Sequence, residues 1–297
     1  LVKASSEHHY SLFFNIRPDI TSHEPVCSNF LFMKLNFIST AILFSLLMVG
    51  CSSDDTTTDQ LTGSGSISIK YDNGYNGNDL IIGASNSSNV NGENLTITRL
   101  SYILSNFRLV NSTGEEYVFP KDESYFVISQ EADLDNVVLP EIPAGEYTTL
   151  KFGVGVDQEK YLQGAEGQGD FLALAESHHM MWSWQAGYKF LNFEGSFTSE
   201  TVTDDTEFKI HMGSHGSSLD NYKEVTLALP TNVRVSDEMD SSIHLKIDAA
   251  KILVSSNNIQ LTEKSVIMVD EVKSPQIAVN VTEMFEVDHI HNGDGHD

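Results

Sequence analysis

The sequence predicts an all-β protein, a β-sandwich with Greek-key connections and one or two short helices. Three observations lead there. Short segments in which apolar and polar residues alternate recur along most of the chain, as in residues 66–71, Ser-Ile-Ser-Ile-Lys-Tyr. Clusters of glycine, proline, asparagine and aspartate separate them at short intervals. Helical patterning is confined to residues 170–176 and 277–285. Many short strands, long turns and little helix describe a sandwich.

The run at 66–71 is expected to end at Asp72-Asn73-Gly74, and the pairs Asn73-Gly74 and Asn76-Gly77 predict a hairpin turn. Asp72, Asn76, Asn78 and Asp79 are not followed by the bidentate glutamate that closes the familiar calcium loop. Residues 94–110 form a strand closed by Ser112-Thr113-Gly114, and 116–120, 124–129 and 146–156 continue the series, with Pro140, Pro143 and Gly145 as punctuation. The helix at 170–176 leads into a stretch that holds both tryptophans, and 188–197, 207–212, 224–229 and 242–255 again read as strands. Ile243, Leu245 and Ile247 alternate with His244, Lys246 and Asp248, so one face is buried and the other wet, which puts His244 on the surface. Residues 277–285 read as a short helix and 288–297 as a polar tail, disordered from 292 to 297.

The first fifth of the chain reads as an export signal. Met33-Lys34-Leu35-Asn36 is a short basic start, and residues 37–49 are apolar but too short to span a bilayer before Gly50-Cys51. Residues 33–51 are therefore expected to be a lipoprotein signal peptide that ends at a lipidated Cys51, with 1–32 a mis-annotated upstream segment. Ser52-Ser53-Asp54-Asp55 resembles an acidic surface-export tag. Residues 52–65, rich in serine, threonine, aspartate and glycine, form a flexible tether, and 66–291 the folded domain. The expected location is the outer membrane, on its periplasmic or surface face, with the membrane reached through lipid on Cys51.

With 42 acidic against 17 basic residues and a net charge of -25, the chain would repel a phosphate backbone, so nucleic acid is excluded as a partner. No nucleophile elbow, zinc-protease helix or Gly-rich phosphate loop is present, and the protein is not read as an enzyme. Past Cys51 there is no thiol, so a metal site must use histidine, methionine or carboxylate.

The soft ligands are unevenly placed. Every histidine past Cys51 lies at or beyond residue 178: His178, His179, His211, His215, His244, His289, His291 and His296. Met180, Met181, Met212 and Met284 accompany them. Thioether and imidazole without thiolate suit copper, Cu(I) in particular. Strand alternation puts Met212 with Phe208 and Ile210 on a core face and His211 on the other. In an extended Asp288-His289-Ile290-His291, both imidazoles share a side, a chelating arrangement. Extended geometry at 181–185 would likewise put Trp182 and Trp184 on one face.

Met181-Trp182-Ser183-Trp184-Gln185-Ala186-Gly187-Tyr188-Lys189-Phe190, followed by Glu194-Gly195, resembles the signature of the MbnP-like family, named for the methanobactin-associated periplasmic copper protein. Leu104-Ser105-Asn106-Phe107-Arg108-Leu109, His211-Met212-Gly213-Ser214 and Met284-Phe285 extend the resemblance in order over most of residues 66–291. It implies a secreted copper-binding β-sandwich that works beside a dihaem peroxidase-like partner, which oxidises a tryptophan, here Trp182 or Trp184, to kynurenine. The expected ligands are His179, His211, His289 and His291. Relatives often carry cysteines in the loop after the His-x-Gly-Ser element, where this chain has Gly216-Ser217-Ser218. The alternative from a different class is a surface module that binds glycan or protein on an aromatic platform of Trp182, Trp184 and Tyr188.

Overall fold

The computed structural model describes residues 60–183 and 187–293. Cys51 and the expected signal segment, Trp184 and His296 lie outside the described residues. Among the described residues thirteen strands and four α-helices follow in the order β1 Ser64–Tyr75, β2 Asn78–Asp79, β3 Asn94–Asn111, β4 Glu116–Val118, β5 Tyr125–Ser129, β6 Asn136–Pro143, β7 Gly145–Val154, α1 Gln158–Leu162, α2 Gly164–Gly167, α3 Asp170–Ser177, β8 Leu191–Thr198, β9 Thr206–Met212, β10 Lys223–Val235, β11 Ser241–Asp248, β12 Val266–Ile267, α4 Lys273–Thr282 and β13 Phe285–Asn292.

They make two sheets. The first runs β13-β11-β1-β2, with β6 also on β1; the second runs β10-β7-β3-β8-β9-β12, with β4 and β5 along β3. The fold is an all-β sandwich, as the alternation predicts, but both sheets are mixed: β1 pairs with β11 in parallel, and β9 with β12. The core lies between the sheets. Ile67, Ile69 and Tyr71 of β1 and Ile243, Leu245 and Ile247 of β11 are buried on its first wall. Phe285 of β13 crosses to the second wall, its ring edge-on to Tyr102 at 5.9 Å and to Phe152 at 5.0 Å. Such edge-to-face pairs add about 0.5–1.5 kcal/mol each beyond the area they bury.

Several sequence expectations are corrected. β1 starts at Ser64, within the presumed tether, and continues through Gly74 to Tyr75; the hairpin turn falls on the second Asn-Gly pair, with Asn76 and Gly77 both at positive φ (51° and 76°). β6 contains Pro140, which looked like a break. It pairs only with β1, and an edge strand can hold a residue with no N–H to donate. The tail is structured too: Phe285–Asn292 is a strand on β11.

The β7–β8 connection, residues 155–190, carries α1, α2, α3 and the tryptophan stretch. It leaves and rejoins the second sheet at one point on β3: Gly155 N–H donates to the Ile103 carbonyl (2.9 Å) and Ile103 N–H to the Phe190 carbonyl (3.0 Å). Glycine is required there, since φ is +105° and a Cβ would sit 2.2 Å from the Phe190 ring. Asp157 anchors the insertion. Its carboxylate caps α1 through Lys160 N–H and accepts from the Tyr125 hydroxyl (2.6 Å), Asn106 Nδ2 (2.9 Å) and Lys121 Nζ (3.0 Å).

Candidate functional site

α3 ends in a turn that explains the histidine and tryptophan stretch. His179 N–H donates to the Glu176 carbonyl and Met180 N–H to that of Ala175 (2.7 Å), with His179 at φ 58°. This is a Schellman stop with histidine in the position glycine usually holds. It sends Met180 into the core and leaves His179 exposed. The expected ligand therefore contributes its backbone instead: the His179 carbonyl accepts a hydrogen bond from Lys189 Nζ at 3.0 Å.

Past Met180 the described residues turn back on themselves on either side of 184–186. Met181 bridges Tyr188, and Trp182 N–H donates to the Gly187 carbonyl. Trp182 is only 5% exposed, and its Nε1–H donates to the Tyr188 carbonyl at 3.1 Å. Tyr188 is buried as well, its hydroxyl bonded to Gln168. Neither ring is open to a sugar, which takes away two of the three residues of the supposed platform; Trp184 lies outside the described residues.

What Trp182 faces is imidazole. Its ring centroid is 5.9 Å from that of His211 and 5.1 Å from that of His215, and Lys189 Nζ lies 5.8 Å from the indole. His211 is on the outer face of the second sheet, as alternation requires, yet it is buried because the tryptophan loop covers it. His211 Nε2 is 2.6 Å from Glu194 Oε1. The His211 hydrogen bond holds the Glu194 carboxyl below its ordinary range against the opposing effect of burial, with help from the charges of His211, Arg99 and Lys189. A carboxylate can only accept, so Nε2 is the donor, and whenever the ring is neutral its lone pair is at Nδ1. A carboxylate behind an imidazole in this way is the usual support of a metal ligand. Burial pulls the Lys189 ammonium down, and Glu194 partly offsets it; burial also lowers His215.

Asn192 is the remaining feature. It pairs across strands with Ser101 on one side and His211 on the other, and it is fully buried. Neither Oδ1 nor Nδ2 has a hydrogen-bond partner among the described residues. Such a group costs about 1–3 kcal/mol unless something meets it. The loop beyond β9 is closed by Ser214 Oγ–H to Asp220 Oδ1 (2.9 Å) and Asn221 Nδ2 to the Gly213 carbonyl (2.8 Å).

The other two expected ligands lie on the first sheet. His289 stands directly across from His244, and His291 follows on the same face. Centroid distances are 4.3 Å for His244 and His289, 4.8 Å for His289 and His291, and 5.5 Å for His244 and His291. Among the described residues this is the one trio of donor side chains grouped closely enough for one metal ion, and neither His179 nor His211 belongs to it. The four histidines expected as one set are thus dispersed: His211 on the second sheet, His289 and His291 on the first, and His179 in the turn after α3. His244 lies on the wet face, as alternation requires, but its partner on that face is β13, in the stretch expected to be a polar tail, and His215 reaches Trp182 from the loop after β9. Met180, Met212 and Met284 are core residues, and Met181 is packed partly against the core.

A search of the curated proteins gives no match. Among solved structures the chain is similar to MbnP from Methylosinus trichosporium, at 15% identity and a TM-score of 0.43, over 70% of this chain and 82% of that one. The MbnP family model matches residues 64–271, from the first residue of β1 to just short of α4, and takes in the tryptophan loop together with the His211 strand that it covers. The chain belongs to the MbnP family.

Proposed function

We propose that this protein is a non-catalytic copper-binding protein of the cell envelope, lipid-anchored through Cys51 at the outer membrane, that acquires or handles copper as Cu(I) beside Trp182. The observation that carries this reading is the buried indole of Trp182 with the imidazoles of His211 and His215 against it. Family membership supports it, as does the resemblance of the motif that contains Trp182.

The residues fit the metal. His211 is held by Glu194 with its second nitrogen left as the donor, His215 approaches the same ring, and Asn192 brings buried polar atoms that the described residues leave unmatched. His211 and His215 would hold copper, which would supply soft, reversible coordination of one electron-rich donor set. A dihaem peroxidase-like partner would act as oxidant on Trp182. With peroxide as the terminal oxidant, two oxygen atoms would add across the indole C2–C3 bond, which breaks, and water would then release the formyl carbon as formate; this leaves an aniline nitrogen and a ketone next to the histidines. Both are donors that the unmodified ring does not offer.

The test uses protein purified from its native host, so that any modification is present. Cu(I) is titrated against a competing chelator for wild type, His211→Ala and Trp182→Phe. Stoichiometric binding that His211→Ala abolishes is the expected result. Binding that is absent in wild type, or unchanged in His211→Ala, refutes the reading.

A further inference from the structure

The trio on the first sheet is placed by strand register. Ser242 pairs with His291, Ile243 with Ile290 and His244 with His289; then the register slips, and Leu245 pairs with Val287. The slip leaves Asp288 as an extra residue, a bulge of the kind that re-aims side chains at a sheet edge. Because Ile243 and Leu245 point into the core, His244, His289 and His291 all rise from the outer face.

We propose that His244, His289 and His291 form a second metal site, separate from Trp182, for a divalent ion that prefers imidazole, Zn(II) or Cu(II). One ligand atom from each ring lies within 4.8 Å of the other two. An ion bound at about 2.0–2.1 Å needs nitrogens roughly 3.3 Å apart. Binding would therefore bring the three rings closer by rotation about their side-chain bonds. The bulge residue supplies the support: His289 Nδ1 is 2.8 Å from Asp288 Oδ2, and Lys246 Nζ is 2.6 Å from Asp288 Oδ1. As at His211, the carboxylate accepts, so Nε2 of the neutral His289 ring keeps the lone pair that a metal takes.

The surroundings favour a cation. Lys70, the register neighbour of His244 on β1, is neutralised by Asp135, and Lys246 by Asp288. The chain as a whole carries a charge of -25. The His289 side chain is 44% exposed, so an ion enters directly from solvent. All three ligands come from one face of a sheet, which leaves the fourth tetrahedral position to water or to a donor from another molecule. A site of that form exchanges its ion readily.

The whole protein, stripped of metal, is titrated with Zn(II) by calorimetry and with Cu(II) by electron paramagnetic resonance. Wild type should bind one Zn(II) per chain, and Cu(II) should show coupling to imidazole nitrogens. His244→Ala and His289→Ala should each weaken Zn(II) binding at least about 100-fold, and Asp288→Asn about 10–100-fold, the range for loss of a supporting carboxylate. His211→Ala should change neither. The proposal is overturned if wild type takes up no stoichiometric Zn(II) or Cu(II), if the His244 and His289 variants bind as wild type does, or if His211→Ala is the variant that loses the ion. The last two outcomes leave Cu(I) at Trp182 open, so the two sites stand or fall separately.

Discussion

Replacing Asp157 by asparagine removes a charge while nearly keeping a shape, and the structure sets how much that charge is worth. The side chain is 15% exposed, and burial alone would raise its pKa. Hydrogen bonds from Tyr125, Asn106, Lys121 and the Lys160 backbone outweigh burial and bring it from 3.8 to about 2. At about 1.4 kcal/mol for each pKa unit, the ionised form stabilises the fold by about 2 kcal/mol at neutral pH. The sign follows from the depressed value: this stability is fully present above the unfolded pKa near 4 and disappears as pH falls through about 2. Asp157→Asn should therefore lower the urea-unfolding free energy by about 2 kcal/mol at pH 7 and by roughly half as much at pH 3. A variant within about 0.5 kcal/mol of wild type at pH 7, or a gap that does not shrink at pH 3, would refute the reasoning. The outcome matters for the site because Asp157 ties the insertion that carries Trp182 to β3 and β5.

Further outcomes follow from the same geometry. His179→Gly should raise stability by about 0.5–1 kcal/mol in thermal denaturation, because glycine adopts the left-handed turn without strain, and it should leave copper affinity unchanged. Asn192→Leu should stabilise the metal-free protein by about 1–3 kcal/mol, because it removes buried polar atoms that lack partners, and should weaken Cu(I) binding; chelator competition and denaturation on one preparation read both. Trp182→Ala should cost about 3–5 kcal/mol, whereas Trp182→Phe should keep most of the stability but yield no oxidised residue in peptide mass spectra.

Much of the fold was legible in the residues because alternation is a local signal. The buried sets 67, 69, 71 and 243, 245, 247, the helix at 170–176 and the strand of His211 all follow from it. What could not be read was pairing. Nothing local says that β1 lies parallel to β11, that Pro140 sits on an edge, or that residues 285–292 return to β11 and bring His289 opposite His244. The same holds at Trp182. The motif marked the stretch, but His215 comes near it only because the loops before β8 and after β9 meet over the second sheet. His179 misled for a local reason: its position after α3 commits its backbone to a turn and its ring to solvent.

Anomalous diffraction at the copper edge, from crystals of the native protein loaded with Cu(I), bears most directly on the central claim. A single strong peak within bonding distance of His211, against the ring at position 182, is the predicted result. Density confined to His244, His289 and His291, with none beside residue 182, would contradict the account.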